Sequence, residues 1–281
     1  MFKKRCLVFA AGLSQILLSA LNAHVKDYSF EQLFEPHYLC EAESNPTVGL
    51  HKRLYESYLK SYSLAEHMII PKRMHFIWLG SPLPAICAKM VATWKELHPD
   101  WIVKVWTDAD AEAFPLQNRL AYNIARNYGE KSDIFRYEIL YHLGGMYADI
   151  DFECLQSFEE LHRSCEFYTG ALEQYVLNGL VGCRPGHPII KACMDHIRIG
   201  NGDHDSERIM RGSGPYYLSA MIESTLTAED EGKVVVFPAN VFYPFPAIYR
   251  FDFIDLEEIK SLFARPESMA IHYWSSTWQR E

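Results

Sequence analysis

The chain has 281 residues, 49% hydrophobic and 22% charged, with 27 Lys and Arg against 36 Asp and Glu for a formal net charge of −9. That composition is average for a folded domain and excludes a disordered, collagen-like or low-complexity chain. The acidic balance argues against a nucleic-acid binder, which needs a basic surface to displace counterions from phosphates.

Lys3, Lys4 and Arg5 precede a mostly apolar stretch from Cys6 to Ala20, with Ser19, Ala20 and Ala23 as small residues near a cleavage point. This is the pattern of a secretory signal peptide over residues 1–23. The stretch is 18 residues long even when extended to Ala23, short of the ~20 of a spanning helix. A retained signal anchor is therefore a second reading, and a buried amphipathic helix a third. The first two make the protein exported or membrane-anchored; the third leaves it cytoplasmic. The seven cysteines are Cys6, Cys40, Cys87, Cys154, Cys165, Cys183 and Cys193. Without Cys6 an even number remains, which permits disulfides in an oxidising compartment. None has CxxC or zinc-ribbon spacing, and scattered buried thiols are the competing reading.

Residues 24–68 are polar and Tyr-rich, with a helical pattern over about 50–64, and read as a helical lead-in ended by Pro71. The run Met74-His75-Phe76-Ile77-Trp78-Leu79-Gly80 follows. A short apolar, β-branched and aromatic run closed by Gly-Ser-Pro predicts a fully buried strand. A helix over 85–97 ends at His98-Pro99, and a second strand over 101–106 is closed by Thr107-Asp108. Helices are expected from about Asp110 and over about 132–143. Gly144-Gly145 stops the latter, and 146–150 is a third strand. Residues 234–237 and 269–273 are further strand candidates. The alternation of strand and helix predicts an α/β domain over 69–281, Rossmann-like, with a mostly parallel sheet flanked by helices and an N-terminal helical extension. No GxGxxG follows the first strand, which argues against dinucleotide binding by the usual pyrophosphate turn.

The chemistry is concentrated in the run from Ser132 to Asp151. Asp149 and Asp151 lie two apart at or just past a strand end, where both carboxylates can converge on one cation. In open α/β sheets, ligands bind beyond the carboxyl ends of the strands. Carboxylates suit Mg²⁺ or Mn²⁺, which keep open positions for phosphate oxygens. A solvated acidic loop is the plain alternative, but it explains poorly a pair that follows an apolar helix and a Gly-Gly stop. Asp133 and Arg136 share a helix face. They are either an exposed ion pair worth ~0–1 kcal/mol or, at the start of a helix facing the crevice, a guanidinium fork for a diphosphate or sugar, oriented by Asp133.

The run from Ser132 through Asp151 resembles the sugar-binding region containing the DXD motif of glycosyltransferase family 32, and more distantly the glucosylating domains of clostridial toxins. Further pieces carry the resemblance in order: Ile70-Pro71-Lys72-Arg73-Met74-His75-Phe76-Ile77-Trp78, Trp94 to Pro99-Asp100-Trp101, Trp106-Thr107-Asp108, Asn178 with Gly186-His187-Pro188, Gly214-Pro215, Val241-Phe242-Tyr243-Pro244, and His272, Ser276 and Trp278. Ser213, where the family often has Thr, is a mild departure.

The resemblance implies a GT-A fold and a metal-dependent, retaining hexosyl transfer from a UDP- or GDP-sugar to a hydroxyl of a glycan, lipid-linked or protein acceptor. In that reading Asp151 ligates Mn²⁺ or Mg²⁺, Asp149 contacts the ribose or donor-sugar hydroxyls and the metal's surroundings, and His272 is a further ligand or diphosphate contact. Asp133 and Arg136 hold the donor sugar, Phe76, Ile77 and Trp78 line the base pocket, and Asn178 faces the sugar or acceptor. Ser276 and Trp278 sit on a tail closing over the diphosphate. Front-face attack needs no dedicated base, whereas double displacement needs a carboxylate beneath the anomeric carbon; both stay open. His75 and Trp94 read as core, and His187 as a turn residue. A non-catalytic nucleotide-sugar-binding module and a metal-dependent phosphohydrolase are the alternatives, the first predicting damage to the Asp-x-Asp or Arg136, the second a further acidic cluster or nucleophile.

Overall fold

The computed structural model describes residues 25–34, 45–198, 200, 205–251 and 255–275. The expectations on residues 1–23, Cys6, Cys40, Ser276 and Trp278 lie outside the described residues.

Six strands form the main sheet: β1 (Arg73–Ile77), β2 (Ile102–Trp106), β3 (Gly145–Ala148), β5 (Phe167–Leu172), β6 (Tyr175–Cys183) and β7 (Val234–Phe237). Their order is β2-β1-β3-β6-β5-β7. β6 runs antiparallel to both neighbours, and every other adjacent pair is parallel. The mostly parallel, helix-flanked sheet expected from the sequence is therefore present, with one reversed strand. A second, two-stranded ribbon pairs β4 (Phe152–Cys154) with β8 (Ala270–His272), antiparallel.

Strands buried on both faces read as continuous apolar runs, and each face of this sheet has its own core. On one, Met74, Phe76, Tyr168 and Phe237 pack with Trp94 of helix Ala85–Leu97 and with Tyr55 and Tyr58 of helix Pro46–Ser61. On the other, Ile77, Tyr147, Val181 and Val236 pack with Ile134 and Phe135 of helix Tyr128–Leu143, with Ile190 and with Leu218. His75 and Trp94 are core residues as expected, His75 bonding the Gly144 carbonyl at 2.9 Å. His187 does more than make a turn: its ring accepts from the Ile189 amide and caps helix Pro188–Asp195.

Boundaries differ for local reasons. Helix Pro46–Ser61 starts before the expected residue 50 because Asn45 caps the Thr47 amide and Pro46 is preset for a first turn. The helix expected from 132 starts at Tyr128, because the Asn127 side chain accepts from the Gly129 and Glu130 amides. Asp133 and Arg136 therefore sit inside this helix and do not open it. The expected helix near Asp110 is Asp108–Ala113, closed at its start by a reciprocal Thr107–Asp110 box. Gly144 and Gly145 both take positive φ (60° and 93°). A side chain on Gly145 would meet the Arg73 carbonyl at 2.5 Å, so this helix-to-strand turn needs glycine. β3 ends at Ala148, short of 150. The Asp149 amide still bonds the Gly179 carbonyl (2.7 Å), and the chain then turns, Phe152 donating back to Asp149 (3.1 Å).

Among the described residues the five cysteines are buried and free of disulfides, as the scattered-thiol reading has it. Among those residues no helix is long and apolar enough to cross a membrane.

Candidate active site

A cleft of about 770 Å³ lies beyond the carboxyl ends of β1 and β3 and extends along β6. The Asp-x-Asp is the turn between β3 and β4, so its two carboxylates leave the sheet where the two sheets separate. The β4–β8 register places His272 opposite Phe152, and thereby beside Asp151, from 121 residues away. One ligand atom from each of Asp149, Asp151 and His272 lies within 4.8 Å of the others.

Asp151 accepts from the His272 ring (Nε2 to Oδ1, 2.9 Å) and from the Ser275 amide (2.7 Å). The His272 ring stacks on Phe152 at 4.4 Å, with Trp274 at 4.2 Å on another side. Its Nδ1 is buried without a hydrogen-bond partner, so packing and not a second hydrogen bond sets its orientation. Trp274 itself holds a positive φ of 53° and donates its indole N–H to the Phe245 carbonyl (2.7 Å). Two carboxylates and an imidazole make a hard, mostly oxygen donor set that fits Mn²⁺ or Mg²⁺.

Arg136 is 5% exposed and lies between two carboxylates, 3.1 Å from Asp133 and 3.3 Å from Asp149. It also donates to the Asn178 carbonyl and sits 4.2 Å over the Tyr147 ring. Asp133 accepts from the Asn178 amide (2.8 Å) and the Ser213 hydroxyl (3.0 Å). Asp149 accepts from the Tyr147 hydroxyl (2.7 Å). Position 179 must stay small, since a side chain there would meet the Asp149 carboxylate at 2.8 Å. These contacts make one continuous network from Ser213 to Asp149.

Burial pushes Asp133 up to about 6 against the pull of Arg136, and raises Asp149 against Arg136 and His272. At Asp151 burial acts in the same direction, but His272 and the Ser275 amide outweigh it and hold the carboxylate well below its usual range. Burial opposes charge on His272, yet Asp151 outweighs it and raises the imidazole. A raised histidine gives stability that is fully present below its unfolded value of about 6.5 and is lost as pH climbs through the folded value. Asp133 acts lower, its raised carboxyl costing stability as pH rises from about 4 to 6. Melting of the chain in EDTA is therefore expected to show a fall in Tm above pH 6.5 that His272→Gln flattens. An equal fall in both proteins would refute the pairing.

Ile77 and Trp78 line the cleft with Asp133, Arg136, Asp149, Asp151, Asn178 and His272. Phe76 does not. Side chains alternate along a strand, and Phe76 points to the opposite face of the sheet, fully buried and edge-on to Trp94 at 5.9 Å. Its place in a base pocket is corrected to a core position. The Trp78 indole N–H is already engaged by the Ser81 hydroxyl and the Pro82 carbonyl, which pins the ring at the rim.

Sequence reasoning missed Tyr147, Gly179, Trp274 and Tyr243 as site residues. Tyr147 had a readable signal, since two residues before Asp149 on a strand means the same face. Tyr243 lines the cleft 5.8 Å from the His272 ring, with its buried hydroxyl lacking a hydrogen bond of ordinary geometry. Only the quoted Val-Phe-Tyr-Pro run pointed there.

Residues 84–168 match the family described as glycosyltransferase sugar-binding region containing DXD motif. The chain is similar to mannosyl phosphorylinositol ceramide synthase CSH1 of Saccharomyces cerevisiae, 27% identical over 72% of this chain and 54% of that protein. It is also similar to inositol phosphoceramide mannosyltransferase 1 of Schizosaccharomyces pombe, 27% identical over 62% of this chain and 57% of the relative. The chain thus spans little more than half the length of these relatives. Among solved structures, the PaToxG glycosyltransferase aligns with a TM-score of 0.47 at 18% identity, covering 68% of this chain and 80% of that one.

Proposed function

We propose, for a chain whose residues 84–168 match the glycosyltransferase sugar-binding region containing DXD motif, that it moves a hexose from a UDP- or GDP-sugar to an acceptor hydroxyl with retention at the anomeric carbon. The observation that carries this reading is the meeting of Asp149, Asp151 and His272 within 4.8 Å, next to a buried arginine that is itself 3.3 Å from Asp149.

Asp149, Asp151 and His272 are the residues to hold a divalent ion, Mn²⁺ or Mg²⁺, which when bound supplies a Lewis acid for the diphosphate oxygens. The chain's own residues do the rest. Arg136 cannot swing away, because Asp133, Asp149 and the Asn178 carbonyl fix its fork. It therefore presents a preorganised positive charge where the leaving group gains negative charge. Asp133, oriented by Asn178 and Ser213, accepts from donor-sugar hydroxyls, and the carboxylates near it favour positive character on the sugar. Ile77 and the pinned Trp78 receive the base. The acceptor hydroxyl attacks from the leaving-group face and passes its proton to the departing phosphate, so no separate base is needed.

The mannosyltransferase names of the relatives favour a mannosyl donor. The acceptor is a glycan, lipid-linked or protein hydroxyl, and residues 1–23 route the chain for export or anchor it to a membrane. Incubating the full chain with Mn²⁺ and a panel of UDP- and GDP-hexoses is expected to release nucleotide from one donor at least tenfold above the others, and chelation is expected to stop it. Release that survives EDTA unchanged, or no release from any donor, would remove the assignment.

A further inference from the structure

We propose that the cleft continues past the donor sugar into an acceptor subsite floored by Tyr175 and Tyr216, and that this subsite takes a polyhydroxylated six-membered ring, a pyranose or a cyclitol. The inference rests on the donor reading above and narrows the acceptor to a ring. Across the sheet the base residues Ile77 and Trp78 stand at the end of β1, and the Asp-x-Asp at the end of β3. Asn178, whose side chain donates to Asp133 of helix Tyr128–Leu143, stands on β6. Base, diphosphate and sugar thus run in the order β1, β3, β6. The next strand is β5, and its hairpin with β6 carries Leu172, Glu173 and Tyr175 along the same cleft. Tyr175 lies three residues before Asn178 on β6, toward the hairpin. Whatever lies past the anomeric carbon faces this hairpin.

The chemistry of that end differs from the rest of the cleft. Tyr175 and Tyr216 are half-buried, both line the cleft, and their ring centroids are 4.2 Å apart at 40°. Leu172, Leu177 and Met210 complete an apolar floor, and the exposed Glu173 carboxylate stands at its rim. Glu173 holds φ at 54°, as the two-residue turn between Leu172 and Tyr175 requires. A pyranose or cyclitol ring has axial C–H groups on its faces and hydroxyls around its edge. Aromatic planes match the first, through dispersion and weak C–H contacts, and a rim carboxylate matches the second. An extended peptide would be held chiefly through main-chain hydrogen bonds, whereas this end of the cleft offers two tyrosine rings and apolar side chains.

The test uses the full chain with Mn²⁺ and ligand-observed saturation-transfer NMR. The probes are methyl α-D-mannopyranoside, myo-inositol and a serine-containing peptide, with UDP and GDP observed in the same samples. The mannoside and inositol arms separate a glycan from a cyclitol headgroup. A ring signal is expected in the wild type, at least tenfold weaker in Tyr175→Ala and in Tyr216→Ala. It is expected to persist in the corresponding Phe variants, because stacking needs the ring and not the hydroxyl. Should an alanine variant unfold, Tyr216→Leu keeps apolar volume without the flat face and reads the same loss. Ring signals at wild-type strength in the variants, no ring signal in the wild type, or a signal from the peptide alone overturns the subsite. A missing nucleotide signal beside an intact ring signal strikes the donor reading alone.

Discussion

Asp151→Asn is expected to cut metal-dependent nucleotide release by at least about 10²–10³-fold, the scale on which single preorganised electrostatic groups act, while the chain stays folded. Asp151 is the pivot of the metal site. Its Oδ1 faces the His272 Nε2 and its Oδ2 takes the Ser275 amide. Asparagine keeps an oxygen for that amide but removes the charge on which both the cation and the raised imidazole depend. The cost to folding is limited to one ion pair, because the main-chain bond from Tyr273 to the Asp151 carbonyl is untouched. Titration with Mn²⁺ reports the binding loss, and the melting curve reports the fold. Turnover within tenfold of wild type, with Mn²⁺ affinity unchanged, would move the metal elsewhere.

The sheet and the acidic pair were legible because they are local. β1 covers Arg73–Ile77, starting one residue ahead of the apolar run at Met74, and residues 234–237 are the strand their pattern predicts. What was not legible is set by pairing at a distance. The run Tyr175–Cys183 is apolar enough for a buried strand, but nothing in it states that it runs against its neighbours. The partnership of Asp151 with His272 exists only because β4 and β8 form a ribbon, and that contact leaves no trace in either segment. Phe76 was misplaced for a different reason. The first-strand motif spans both faces of the sheet, because strand alternation puts residues 76 and 77 on opposite ones. The start of the helix at Tyr128 was hidden by Gly129, a poor helix former, while the Asn127 cap that decides it was legible and passed over.

Arg136→Ala is expected to damage fold and chemistry together. Its side chain is 5% exposed and is the cation shared by Asp133 and Asp149, both of which burial already pushes toward their neutral forms. Removing one partner of a buried ionic cluster typically costs about 3–5 kcal/mol, because the remaining charge is left uncompensated. At roughly 2–4 °C per kcal/mol for a chain of this class, Tm falls by roughly 10 °C. Arg136→Lys restores the charge but not the planar fork that reaches Asp133, Asp149 and the Asn178 carbonyl at once. It is expected to recover part of the Tm and little of the turnover, which stays about 10²-fold or more below wild type. The double variant Arg136→Ala with Asp133→Asn separates repulsion from packing. Neutralising Asp133 removes one stranded carboxylate, so the pair is expected to cost at least about 1 kcal/mol less than the sum of the singles. Denaturant melts and nucleotide release on wild type, Arg136→Ala, Arg136→Lys, Asp133→Asn and the double variant decide it. Additive losses, or a lysine variant with wild-type turnover, would mean that Arg136 is an ordinary buried side chain and that the diphosphate charge is met elsewhere.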